Sequence, residues 1–250
     1  MGAAKITLLG TNGWYDTDTG NTISILVQGG GNTVVFDAGN GIHKLDRHLD
    51  GVKEVYCFLS HFHLDHIMGL HVLPKFFSLE RFTVIGQAGT RDILKSFQSS
   101  PFTVPPSKLP FEFSILEAPR ELPRLPFSME TLSLLHSDAT IGARIEICGK
   151  IIAYCPDTGY CENAVTLARD ADMLLAECAY PPGFTRKEWP HLNPETAARI
   201  ALEAGAKKLV LVHFDAHNYR DRQSRLEAQA VARTIFPETV AGMDDMEFTV

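Results

Sequence analysis

Four potential metal ligands crowd into the hexapeptide His61-Phe62-His63-Leu64-Asp65-His66, directly behind the apolar run Val55–Ser60. A packed core has little use for adjacent imidazoles and carboxylates, because each must find a polar partner once buried. Metal ions do have a use for them, since each ion needs several fixed nitrogen and oxygen ligands and keeps a position open for water. On an extended backbone His61, His63 and Asp65 share one face, because alternate residues do. His66 needs a turn to join them. The competing explanation is a polar loop that holds its histidines by chance.

The rest of the chain supplies the scaffold. Ile6–Leu9, Ser24–Val27 and Thr33–Phe36 read as strands closed by glycine-rich turns, Ile42–Leu49 as a short helix, and Val55–Ser60 as a buried strand. Ile67–Phe77 reads as helical up to Pro74, Thr83–Ile85 as strand and Thr90–Phe97 as helix. Half of the 14 prolines then fall in Pro101–Pro126, an irregular excursion with one strand, Glu112–Glu117, expected to form a substrate-facing rim. Further on, Ala143–Cys148 and Ile151–Tyr154 predict a hairpin around Gly149-Lys150, Ala164–Arg169 a helix and Met173–Glu177 a strand. Asn193 and Pro194 predict the start of a helix that ends at Gly205, as N-cap and first helical residue. Lys208–Val212 reads as strand, Arg222–Phe236 as a helix with Leu226, Ala230 and Val231 on one face, and Glu247–Val250 as a closing strand. No repeat or low-complexity tract interrupts the order. The alternation predicts an α/β fold of two β-rich halves with helices outside, a four-layer sandwich forming a single domain over residues 1–250.

Three residues at predicted strand ends could complete the hexapeptide's site: His136 after Thr131–Leu135, Asp157 after Ile151–Cys155, and His213 after Lys208–Val212. Taken alone, either histidine is as compatible with a structural hydrogen bond as with ligation, and an Asp-Thr-Gly turn is ordinarily just a turn. Their common position makes the joint case. His43, His48 and His71 sit in or beside predicted helices and read as ordinary surface or packing residues. Trp14-Tyr15 could line a pocket mouth or an oligomer contact.

A net charge of −7 argues against a nucleic-acid binder that relies on a broad basic face. Five cysteines with no CxxC pair fit a reduced cytoplasm, an N-terminus that runs straight into a strand carries no signal-peptide pattern, and no apolar run is long enough to span a bilayer.

Read in order, Leu8-Leu9-Gly10-Thr11-Asn12-Gly13, Phe36-Asp37-Ala38-Gly39, the hexapeptide, His136-Ser137, Pro156-Asp157-Thr158-Gly159, Ala176-Glu177, His191-Leu192-Asn193 and His213-Phe214 give the chain a resemblance to the metallo-β-lactamase superfamily. Within it, the chain resembles the ribonuclease Z-like and small phosphodiesterase branch. The resemblance implies the αββα sandwich of that superfamily, a homodimer and two divalent metal ions. His61, His63 and His136 would hold the first ion, Asp65, His66 and His213 the second, and Asp157 would bridge them. Imidazole and carboxylate without thiolate suit zinc, and also manganese or iron.

Two divalent ions bring about +4, and Asp65, Asp157 and a hydroxide remove about three of those charges, which leaves a pocket suited to a small anionic substrate such as a phosphate diester. The resemblance gives His191 the task of assisting the phosphate and leaving oxygen, with Glu177 as its partner and Asp65 orienting the hydroxide nucleophile; the family motif often has a histidine at the position of Ala176. The expected activity is therefore a phosphodiesterase on small or cyclic diesters. The alternatives are a ribonuclease Z-like 3′-tRNA-processing endonuclease, a lactone or thioester hydrolase on the same ligands, and a metal-stabilised scaffold without activity. Only a short hairpin separates His136 from Asp157, where ribonuclease Z enzymes carry a long tRNA-gripping arm. With the acidic composition, this makes RNA the less favoured substrate.

Overall fold

On the strand Asn32–Phe36, Val34 and Phe36 enter one apolar cluster and Val35 another, as the two-residue period of an extended chain requires when both faces are covered. The same division runs through the computed structural model, which describes residues 2–250. Seven strands form one sheet in the order Glu247–Thr249, Lys5–Gly10, Ser24–Gly29, Asn32–Phe36, Glu54–Phe58, Arg81–Gly86, Glu112–Glu117. Six form the other: Thr239–Ala241, Leu209–Val212, Met173–Glu177, Lys150–Cys155, Ile141–Ile147, Ser128–Ser133.

The middle cluster joins the sheets, with Ile6, Phe36 and Phe58 from one meeting Ile145, Tyr154, Leu175 and Val210 from the other. Outside the first sheet, Val35, Cys57 and Val84 pack on Ile42, Leu45, Leu70 and Leu94. Outside the second, Ala153, Leu174 and Leu211 pack on Leu167, Ala197, Ala201 and Ala228. Three apolar seams between four layers make the αββα sandwich that the sequence predicts.

Local differences have local causes. Asn40–His48 and Met68–Lys75 are 3-10 helices rather than α-helices. Pro74 lies inside the second and cannot donate to an α-helical ladder. The hairpin turns on Cys148 and Gly149 instead of Gly149-Lys150, with φ of 56° and 73°, the pair of left-handed residues that a two-residue turn requires. On the helix Arg222–Arg233 the buried face is Arg225, Ala228 and Ala232, while Leu226 is 45% exposed. Small alanines let the helix approach the sheet closely, and Arg225 is needed for a polar network described below.

Part of the proline-rich segment faces away from any site of histidines and carboxylates. Pro105 and Pro106 line a surface cavity of about 590 Å³ with Leu94, Gln98, Phe113 and Ile115, at the edge of the seven-stranded sheet. Among the described residues no helix is long and apolar enough to cross a membrane.

Candidate metal centre

Parallel strands bring the chemistry together. Asn32–Phe36, Glu54–Phe58 and Arg81–Gly86 run parallel in one sheet, and Lys150–Cys155, Met173–Glu177 and Leu209–Val212 in the other, so their carboxyl ends share an edge in each sheet. Asp37, the hexapeptide, Asp157 and His213 all follow such ends. His66 joins the others through a single helical turn, Leu64–Ile67, with its amide bonded to the His63 carbonyl at 3.0 Å.

The seven sequence-predicted ligand residues assemble as two groups. His61, His63, His136 and Asp157 offer ligand atoms within 4.8 Å of one another, and so do Asp65, His66 and His213. Asp157 faces both groups. Its Oδ1 lies 3.2 Å from His66 Nε2 and 3.1 Å from His213 Nε2. Its Oδ2 lies 3.9 Å from both His61 Nε2 and His136 Nε2. His66 Nε2 and His213 Nε2 are 3.1 Å apart.

The donor set fits metal ions. Among the described residues Asp157 Oδ1 accepts no well-aligned hydrogen bond despite its burial, and His213 Nδ1 has no partner, its Nε2 being the nitrogen that faces Asp65 and Asp157. Native interiors rarely leave such atoms unmet. Burial and the neighbouring imidazoles push His61 well below its ordinary pKa, which keeps it a neutral donor. Burial works against the ionised carboxyls of Asp65 and Asp157, yet the surrounding histidines hold both well below their usual range. Burial also opposes charge on His66 and His213, but the carboxylates raise both. Two buried carboxylates thus call for positive charge where the imidazole nitrogens converge.

Outer contacts fix the ring orientations. Fully buried Asp37 accepts from Ser60 N at 2.8 Å, Ser60 Oγ at 2.9 Å, Tyr154 Oη at 2.6 Å and His66 Nδ1 at 2.8 Å, which leaves His66 Nε2 to face Asp157. His63 meets Asp138 through Nε2 at 2.9 Å and presents Nδ1 to His61. Such carboxylate–imidazole contacts set tautomer and basicity. Asp65 Oδ2 accepts the Trp14 amide at 2.7 Å and faces His213 Nε2 at 3.2 Å. Asp37 and His213 have left-handed φ of 57° and 51°, an uncommon conformation that side-chain bonding or packing must hold. Gly13 lies against the His213 ring so closely that a Cβ there would overlap it.

His191 stands beside both groups, its ring centroid 5.1 Å from that of His136 and 6.2 Å from that of His213. It pairs with Glu177, Nδ1 to Oε1, at 2.6 Å. The Glu177 carboxylate is itself pinned, accepting from Thr158 N and Ala179 N at 2.8 Å each. Burial lowers the His191 pKa, but Glu177 outweighs it and raises the imidazole to about 9.

His43 and His71 bond backbone carbonyls near them in sequence, Asn40 and Met68, while His217 is exposed; none joins the cluster. Sequence reasoning gave no site role to Asp37, Asp138, Tyr154 or Trp189. The motif Phe36-Asp37-Ala38-Gly39 carried a signal for the first, since it puts an aspartate at the end of a buried strand.

Residues 32–214 match the family described as a β-lactamase superfamily domain. The probable metallo-hydrolase YhfI of Bacillus subtilis is 26% identical over 235 residues, covering 91% of this chain and 93% of that protein. The crystal structure of B. subtilis YhfI superposes with a TM-score of 0.80 at 22% identity, over 99% of this chain and all of the other. The ribonuclease Z of Acaryochloris marina is 28% identical over 305 aligned positions, covering 98% of this chain and 97% of that enzyme. A diphosphatase from the PhnP family has the same fold, with a TM-score of 0.73 at 18% identity, 100% of this chain and 98% of that one being covered.

Proposed function

The chain belongs to the β-lactamase superfamily as a metallo-hydrolase, and from that premise we propose that it is a phosphodiesterase acting on small or cyclic phosphate diesters. His61, His63, His136 and Asp157 would hold one divalent ion and Asp65, His66 and His213 the other, with Asp157 shared. Zinc suits these donors best, and manganese or iron would be accepted by the same set. When bound, such ions polarise a phosphoryl oxygen and lower the pKa of water at the site.

The observation that carries the diester reading is the His191–Glu177 pair. Glu177 holds Nδ1, which leaves Nε2 of a protonated His191 free to donate to the departing oxygen, as general-acid catalysis requires. Asp65, anchored by the Trp14 amide, would orient the attacking oxygen through a hydrogen bond. An activated carboxyl ester has less need of a proton donor. Ligands drawn from both halves of the chain support one hydrolase unit over residues 1–250, and five free cysteines support a reducing cytoplasm. A homodimer belongs to the same proposal.

A 3′-tRNA-processing activity is the second reading, favoured by relatives named ribonuclease Z. Against it, the strands Ile141–Ile147 and Lys150–Cys155 form only a short hairpin between His136 and Asp157, and the net charge is −7.

The test compares two substrates with metal-reconstituted protein. On 2′,3′-cyclic AMP, whose leaving alkoxide is strongly basic, His191→Ala is expected to lower kcat by about 10²–10⁴-fold. On bis(p-nitrophenyl) phosphate, whose leaving phenolate needs little help, the fall is expected to be much smaller. Equal losses on both would remove the proton-donor role. No turnover of either by wild type carrying two metals would move the assignment to lactones and thioesters, and pre-tRNA cleavage in the same series would favour the second reading.

A further inference from the structure

Among the described residues, Trp189 is the one large aromatic side chain that lies parallel and offset to the His63 ring. Its ring lies nearly parallel to the His63 imidazole, 9° between planes and 6.1 Å between centroids. It also meets His136 edge-on at 5.9 Å. Yet 44% of the residue is exposed, beside the first group of candidate ligands.

Its surroundings hold it there. The Trp189 carbonyl accepts the Tyr180 hydroxyl, and the Pro190 ring packs on Gly159. The preceding loop is tied down where Asn193 Nδ2 donates to the Phe184 carbonyl and the Gly183 amide donates to Glu195, both at 3.0 Å. His63, its stacking partner, is fixed through Asp138. Arg186 and Lys187 lie exposed in the same loop, and among the described residues neither makes an ion pair. A positioned, half-exposed indole beside a phosphate-attracting cluster is what an aromatic group attached to that phosphate would stack on. Indole faces accept flat rings with little dependence on ring identity.

Resting on the phosphodiester reading, we propose that Trp189 is a specificity-determining platform and that the substrate is a diester carrying a nucleobase-sized aromatic group on the His63 side. An acyclic aliphatic alternative, a glycerol diester, offers no ring face and would leave the indole uncovered, while a sugar ring alone would cover it less fully than a base.

Equilibrium binding of AMP and of ribose 5-phosphate to zinc-reconstituted protein tests this, because the two share the phosphate and sugar and differ in the base. Wild type is expected to bind AMP at least about tenfold more tightly, the scale of one base–aromatic stack. Trp189→Ala should collapse that ratio to within about twofold of unity, and Trp189→Phe should restore part of it. Circular dichroism of both variants checks that the exposed loop substitution leaves the fold intact. A wild-type ratio near one, or a ratio that survives Trp189→Ala, overturns the platform. The diester reading fails separately: if methyl p-nitrophenyl phosphate and 2′,3′-cyclic AMP are both left intact while the AMP preference and its loss persist, the platform stands and the reaction must be reassigned.

Discussion

Replacing Arg225 with methionine should loosen the half of the site that holds His213, at a distance from every candidate ligand. The guanidinium is fully buried and donates to Thr11 Oγ1 at 2.8 Å, Thr19 Oγ1 and the Gly242 carbonyl at 3.2 Å each, and Asn12 Oδ1. It also lies 4.7 Å from the centre of the Phe214 ring. Asn12 and Phe214 pair in the two-stranded ladder that carries Gly13 and follows His213.

Methionine fills the aliphatic volume but donates nothing. The Gly242 carbonyl then loses its charged donor, and Asn12 Oδ1 keeps only a long bond from Thr19 Oγ1 at 3.4 Å, at about 1–3 kcal/mol for each buried acceptor so weakened. The lost cation–π contact adds up to about 2 kcal/mol in a desolvated setting. Relief of a buried charge offsets part of this, and the offset is real, because burial depresses the Arg225 pKa to about 10. A net loss of about 3 kcal/mol follows, or a fall in Tm of about 6–12 °C for a chain of this size. Thermal unfolding followed by circular dichroism measures it, with and without chelator. A fall of less than about 1 °C would refute the reasoning, since the network would then contribute nothing net.

Two further substitutions probe the cluster from either side. Asp37→Asn places an amide where four donors converge, and metal affinity should drop by about 10–100-fold, read by competition with a chromophoric chelator; unchanged affinity would mean that the His66 orientation does not depend on Asp37. Gly13→Ala drives a methyl into the His213 ring, so metal content after reconstitution should fall from two ions per chain toward one, with elemental analysis as the measurement and full retention of two ions as the contrary result.

Where spacing alone carries the information, the sequence was readable. Period-2 backbone geometry aligns His61 with His63, but Asp65 lies in the helical turn Leu64–Ile67 and joins His66 and His213 rather than the other two. Strand ends also announce His136, Asp157 and His213, because α/β folds gather chemistry at carboxyl edges. What stayed hidden depends on long-range partners. Asp37 shows in sequence only as an aspartate at a strand end, and its role waits on Ser60, His66 and Tyr154 being brought onto it. Leu226 reads as part of the packed face, and nothing marks Arg225 as buried until Asn12 and Thr11 arrive from 213 and 214 residues away. Cys148 gives no hint of a left-handed turn, because cysteine has no special tolerance for it. Over eight or nine residues the 3-10 and α periods are too close for a pattern of apolar positions to separate them.

The candidate ligands are split between the sheets: His61, His63, Asp65 and His66 follow a strand of the seven-stranded sheet, while His136, Asp157 and His213 follow strands of the six-stranded one. Ions held as proposed would each be a rivet across the seam, joining residues as far apart as Asp65 and His213, 148 positions distant. Prying the sheets apart and releasing the metal would then be a single event. Slow amide exchange in the middle seam should then keep time with metal dissociation, so that a chelator sets the rate at which the interior opens to solvent and proteases.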